Sequence, residues 1–170
     1  MDAPAIIEAS TVPAPMAAIR FCMAYPTECY APIFSVAQLR FTPELLAELQ
    51  AVNGSINKAI KPREDAGQDT WTISPAHGDC DDYAVTKRHE LINRGYSPKA
   101  LSLAMVALPS GEDHLVLMVK TSAGDFVLDN LRGDVRQWHK TGYKFVKRQS
   151  SESAVIWVGI DYQLRLAGVK

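Results

Sequence analysis

The stretch Pro75–Val85, "PAHGDCDDYAV", sets one cysteine, Cys80, among three acids, Asp79, Asp81 and Asp82. A thiol attacks carbonyl carbon only as the thiolate, and a helix N-terminus favours that form through the positive end of the backbone dipole. Carboxylates beside the sulfur act in the opposite sense and hold its proton on. Acids are favoured in the first turn of a helix by about 0.3–1 kcal/mol each, which alone explains their presence. They are also oxygen ligands at a density that suits a hard cation such as calcium, which would offset their effect on the thiol. Salt bridges from Lys87 or Arg88, at helical spacing, are a third way to neutralise them. The EF-hand loop pattern is absent.

A second pair completes the chemistry. His114 opens "HLVLMVKT", Asp129 lies near the end of "DFVLDNL", and "SAGD" turns between them. Their positions average close to the middle of that turn, which predicts the two nearly opposite across a hairpin, with Cβ atoms about 5 Å apart. A carboxylate that steadies an imidazole is the orienting half of a nucleophile–base–orienter set, and Cys80 would supply the nucleophile. Each residue alone has an ordinary structural reading, a small buried hydrophobe, a surface histidine and a turn acid. Cysteine on a helix, histidine on a strand and aspartate on the next strand are together a pattern for acyl transfer.

These residues need elements to position them. "TPELLAELQAVNGSINKAI" (Thr42–Ile60) opens with a Thr N-cap and proline at the first helical position, then repeats Leu45, Leu49, Val52, Ile56 and Ile60 at spacings of three and four. A second helix is expected from near Cys80 to about Asn93, stopped by Gly95, with Cys80, Ala84, Lys87 and Leu91 on one face. After Ser97-Pro98 come strand-like runs: Ala100–Leu108, His114–Thr121, Asp125–Leu131, Tyr143–Gln149 and Ala154–Ile160. The connections "PSGED" and "SAGD" are short enough to imply antiparallel hairpins. Helices followed by strands predict an α+β fold, with N-terminal helices packed on an antiparallel β-sheet.

With 170 residues, 47% hydrophobic and 22% charged, the chain suits one domain with a real core. Residues 1–20, rich in Ala and Pro, are expected to be a flexible N-terminal segment, with residues 21–170 forming the domain. Eighteen basic against nineteen acidic residues leave a net charge of −1, so no basic excess points to nucleic acid or an anionic membrane. No run is long and apolar enough for membrane insertion. The start lacks the basic and apolar regions of a signal peptide, and a removed leader is the expectation. Cys22 and Cys29 flank Pro26 in "FCMAYPTECY" and could close a disulfide, a redox or metal pair being the alternative; closure would leave Cys80 as the odd thiol.

"GDCDDYAVTKRHEL", "GEDHLVLMVK" and "FVLDNL" together resemble the bacterial transglutaminase-like cysteine proteinases, within the transglutaminase/papain-like group. "FCMAYPTEC" is also similar to the start of such domains, so the resemblance spans roughly residues 21–157. It implies a papain/transglutaminase-like core and a hydrolase in which Cys80 is the nucleophile, His114 the general base and Asp129 the orienting acid. A protein or peptide substrate, periplasmic location and a regulatory membrane-protein partner are implied with it. No cofactor is required for such chemistry. Some family members bind calcium through acids flanking the cysteine, which would make Asp79, Asp81 and Asp82 metal ligands here, although Asp81 stands where relatives often carry Glu. The oxyanion donors would be the Cys80 backbone N–H and a group near Trp71, either Gln68 or the indole. Rival readings are a catalytically silent module that binds a peptide, an amine acyltransferase that crosslinks, and an acetyltransferase fed by a thioester donor. His77 and His89 flank the motif; His77 reads as a solvated position, cleft lining being the alternative, His139 as part of a surface segment, and Tyr83 and Trp157 as core or cleft-wall aromatics.

Overall fold

A computed structural model describes residues 4–161. Along the chain come β1 (Glu8–Val12), α1 (Met16–Ala24), α2 (Pro43–Ala59), the two-residue strands β2 (Lys61–Pro62) and β3 (His77–Gly78), and α3 (Cys80–Asn93). There follow β4 (Leu101–Ala107), β5 (Asp113–Thr121), β6 (Gly124–Leu128), β7 (Arg136–Gln137), β8 (Lys144–Gln149) and β9 (Trp157–Ile160). Seven strands form one sheet in the order β1-β9-β8-β4-β5-β6-β7, antiparallel throughout. The fold is α+β, as the succession of helical and strand patterns predicts.

Strand alternation divides the core between the two faces of this sheet. Leu101, Leu103, Leu115, Leu117, Val119 and Leu128 pack with buried residues of the three helices. Ala104, Val106, Val116, Met118, Val127 and Phe145 form the second layer, under Trp138 and Tyr143. On α2 the stripe Leu45, Leu49, Val52 and Ile56 is buried, and the Thr42 side chain accepts the Leu45 backbone N–H at 3.0 Å. The helix passes through Gly54 without a break because its packing stripe runs past that position.

Residues 8–12 differ from the flexible segment expected at the N-terminus. They form β1, an edge strand paired with β9 through Thr11–Val158 and Val12–Trp157, and Ala17 and Ala18 of α1 are buried. "EASTV" carries little strand signal of its own; its hydrogen-bond partners lie at the far end of the chain.

Cys22 and Cys29 are joined as a disulfide. The loop between them is tied to α3 by Arg88, which donates to the Glu28 carbonyl at 2.5 Å and to the Leu101 carbonyl at 3.1 Å. The buried Glu28 carboxylate lies 4.0 Å from the Arg88 guanidinium and against the His89 ring. Arg88 therefore points into the core and not towards the acids of the first turn.

Candidate active site

The first turn of α3 is fixed by Asp82. Its Oδ1 accepts the Thr72 backbone N–H at 2.7 Å, and its Oδ2 accepts the Asp79 N–H at 3.1 Å. This ties the incoming loop to the helix start and satisfies an amide that the helix cannot. Gly78 leaves the room: a Cβ there would lie 2.7 Å from Asp82 Cβ. Gly78→Ala is therefore expected to displace Asp82 and cost about 1–3 kcal/mol, read as a lower urea midpoint.

Cys80 follows at the first helical position, partly buried. Its thiol donates to Asp81 Oδ1 at 3.5 Å, and the Leu115 backbone N–H of β5 is directed at the sulfur. Burial, then the Asp81 and Asp79 carboxylates, push the thiol well above its ordinary range, more than the Leu115 amide lowers it. In this arrangement the helix dipole does not prevail over the acids.

His114 precedes Leu115 and is buried, as is Asp129. His114 Nε2 lies 2.8 Å from Asp129 Oδ1, and Tyr143 donates its hydroxyl to Asp129 Oδ2 at 2.5 Å. The Leu131 backbone N–H also donates to Oδ1, at 3.0 Å. Burial raises the Asp129 pKa, but the hydrogen bonds from His114, Tyr143 and Leu131 outweigh it and hold the carboxyl below its usual value. The ladder differs from the one centred on the turn. Leu117 pairs with Leu128 and Thr121 with Gly124, and β6 ends before Asp129. Asp129 thus reaches His114 diagonally from the loop beyond the strand, and Tyr143, from a distant part of the sequence, steadies it.

The acids divide. Asp82 is committed to the two backbone amides. One carboxylate oxygen each from Asp65, Asp69 and Asp79 lie within 4.8 Å of one another, and Asp81 hydrogen-bonds Asp69. Burial first, then the charges of Asp65 and Asp69, raise Asp79. Asp81 is pushed up to about 8 by burial and by its Asp69 and Asp79 neighbours. Asp79 Oδ1 is buried without a hydrogen-bond partner among the described residues. Of the expected trio Asp79, Asp81 and Asp82, Asp79 lies with Asp65 and Asp69 from the polar loop "KPREDAGQDTW", Asp81 adjoins Asp69, and Asp82 faces the backbone. The concentration of acids in "EDAGQD" was the available signal, but only the fold brings that loop to the helix start. An all-oxygen donor set with an orphaned carboxylate oxygen fits a hard divalent cation.

Lys87 and Arg88 both turn inward and neither neutralises these acids. Trp71 is buried beside Phe21, its indole N–H without a partner among the described residues, while Gln68 is exposed. His77 and His139 are exposed; His89 contacts Glu28 and Asn93.

A family model described as bacterial transglutaminase-like cysteine proteinase, BTLCP, matches residues 8–164. No curated protein matches significantly. Among solved structures, calcium-bound LapG of Legionella pneumophila superposes with a TM-score of 0.59 at 23% identity, covering 70% of this chain and 71% of that one. EGTA-treated LapG gives 0.58 at 23% identity over 70% and 69% of the two chains. A third LapG structure gives 0.58 at 22% over 76% and 77%. At these identities the likeness is one of fold.

Proposed function

The chain belongs to the bacterial transglutaminase-like cysteine proteinase family, and from that premise we propose that it hydrolyses peptide bonds of a protein substrate through Cys80, His114 and Asp129. The observation that carries this reading is the buried His114–Asp129 hydrogen bond, one residue along β5 from the amide directed at the Cys80 sulfur. Asp129 occupies Nε2, which leaves Nδ1 as the nitrogen to receive the thiol proton. The thiolate attacks the carbonyl carbon, and His114 returns that proton to the departing amine as the C–N bond breaks. Water, deprotonated by the same ring, then cleaves the thioester. The Cys80 backbone N–H at the first helical position has no partner within the helix and can donate to the oxyanion.

The acid cluster gives this reading its control. Asp65, Asp69, Asp79 and Asp81 would hold calcium, a cation with which LapG has been solved. Bound there, it would supply positive charge against the carboxylates that disfavour thiolate. We expect calcium to raise Tm, by about 2.7 kcal/mol of stabilisation at a hundred times Kd, and Asp79→Asn to abolish most of that shift. The Cys22–Cys29 disulfide supports action in an oxidising compartment such as the periplasm, on an exported or surface protein. A membrane-protein regulator belongs to the same proposal; among the described residues no helix is long and apolar enough to cross a membrane.

Iodoacetamide labelling as a function of pH tests the nucleophile. With calcium, Cys80 should alkylate with an apparent pKa below the free-thiol value of about 8.5, and EGTA should move it above that value. A thiol whose titration is unshifted in both buffers would count against an enzyme and for a silent binding module. Labelling without hydrolysis, but with incorporation of an added amine, would redirect the assignment to crosslinking.

A further inference from the structure

Tyr143, the residue before β8, is 7% exposed and packs with the second layer of the core. Phenylalanine would fill that place without burying a hydroxyl, so packing does not account for the phenol. The hydroxyl donates to Asp129 Oδ2 at 2.5 Å. The same ring stands edge-on to His114, with centroids 6.0 Å apart and planes at 81°. One side chain thus touches both the carboxylate and the imidazole of the candidate site.

The two contacts restrict different motions. A carboxylate held at one oxygen can turn about its Cβ–Cγ bond; with Tyr143 on Oδ2 and the Leu131 N–H on Oδ1, Asp129 is held at both. A hydrogen bond at His114 Nε2 leaves the imidazole able to swing about that contact, and the edge-to-face ring of Tyr143 limits the swing.

Tyr143 is itself held from two sides. The Thr141 hydroxyl donates to the Trp138 carbonyl at 2.7 Å and accepts the Tyr143 backbone N–H at 3.2 Å. The Arg132 guanidinium lies 5.9 Å from the Tyr143 ring centroid, within cation–π range, and donates to the Thr141 carbonyl at 3.5 Å. The Arg132 carbonyl accepts in turn from Asn53 at 2.9 Å and Asn57 at 3.2 Å, both on α2. The loop that carries Asp129 and the turn that carries Tyr143 are therefore fastened to each other and to a core helix.

We propose that Tyr143, clamped by Arg132, is a positioning residue for the reaction: its hydroxyl fixes the Asp129 carboxylate and its ring edge fixes His114, so that the imidazole meets the Cys80 thiol in one orientation. This rests on the roles proposed above for those three residues.

Tyr143→Phe removes the hydroxyl and keeps the ring. Its kcat should fall about tenfold, with KM within about twofold, because the imidazole is misplaced while the substrate surface is untouched. Tyr143→Leu also removes the edge contact and the face under Arg132, and its kcat should fall about a hundredfold. A lower urea midpoint would accompany either variant even if Tyr143 only packed, so stability does not decide. NMR does. In Tyr143→Phe the Asp129 carboxyl carbon should titrate at higher pH, since the phenol donor lowers it in the wild type, and the His114 ring nitrogens should shift. These resonances need no turnover, so a protein that cleaves nothing would still report whether Tyr143 sets the Asp129–His114 pair. Wild-type Asp129 and His114 resonances in Tyr143→Phe overturn the proposal, and so does wild-type kcat in that variant. Should Tyr143→Phe fail to fold, the Cζ signal of Tyr143 in the native protein decides. A signal that moves with the Asp129 titration supports the proposal, and one that ignores it overturns it.

Discussion

Cys80→Ala is expected to lower kcat for peptide hydrolysis by about 10⁴-fold or more, with the folded structure retained. On the mechanism proposed above, the substitution removes the atom that would form the thioester, so neither acylation nor deacylation would have a route through the protein. What remains is the contribution of substrate binding and the Cys80 backbone N–H, which the alanine keeps. The side chain is small and partly buried, and its polar contacts are the 3.5 Å hydrogen bond to Asp81 and the Leu115 N–H directed at the sulfur. Stability should therefore change by less than about 1 kcal/mol, within the range of substitutions that leave no large cavity. A fluorogenic peptide derived from a cleaved substrate gives kcat, and urea unfolding gives the control. Activity above about a tenth of wild type in the variant would remove Cys80 from the mechanism.

Asp129 should show the next largest effect, and two substitutions separate its chemical from its structural part. Asp129→Asn preserves volume and can still accept from His114 and Leu131, but it carries no charge to balance the imidazolium. A loss in kcat of about 10³–10⁴-fold is expected, as for other triads that lose the acid's charge. Asp129→Ala strips an acceptor from three donors at once, His114, Tyr143 and Leu131. Buried donors left unmatched cost about 1–3 kcal/mol each, so unfolding free energy should drop by at least about 3 kcal/mol. The pH dependence has a definite sign. The Asp129 pKa is lower folded than unfolded, so its contribution to stability is complete above the unfolded value near 4 and is lost as pH falls through the folded value. Asp129→Asn should lose less stability than wild type on acidification through that window. Equal acid sensitivity of the two proteins would contradict the hydrogen-bond geometry.

Much of the scaffold was legible because its signals are local. Thr42 and Pro43 mark the start of α2 through the cap they can make, and the stripe from Leu45 to Ile56 follows from helical periodicity alone. Gly95 adopts a positive φ of 95° after α3, where a residue without Cβ is favoured. "PSGED" and "SAGD" turn neighbouring strands back on one another. The strands β1 and β7 were not legible, because five and two residues with little apolar content become strands only where a sheet edge is already present to pair with them.

The site divides along the same line. Sequence by itself determined the kinds of group available: one thiol at a helix start, an imidazole at a strand start, a carboxylate after the next strand, and too many acids around the sulfur. Each of these follows from residue types and from distances of a few residues along the chain, over which backbone geometry is nearly fixed. Only the tertiary structure decided which acids lie together, since Asp65 and Asp69 meet Asp79 by folding of a loop that has no regular geometry of its own. It also turned Asp82 to the backbone, set the diagonal reach of Asp129 to His114 by shifting the ladder register, and buried Lys87. Those choices depend on side chains far apart in sequence competing for the same interior space, and a single chain read in order carries no measure of that competition.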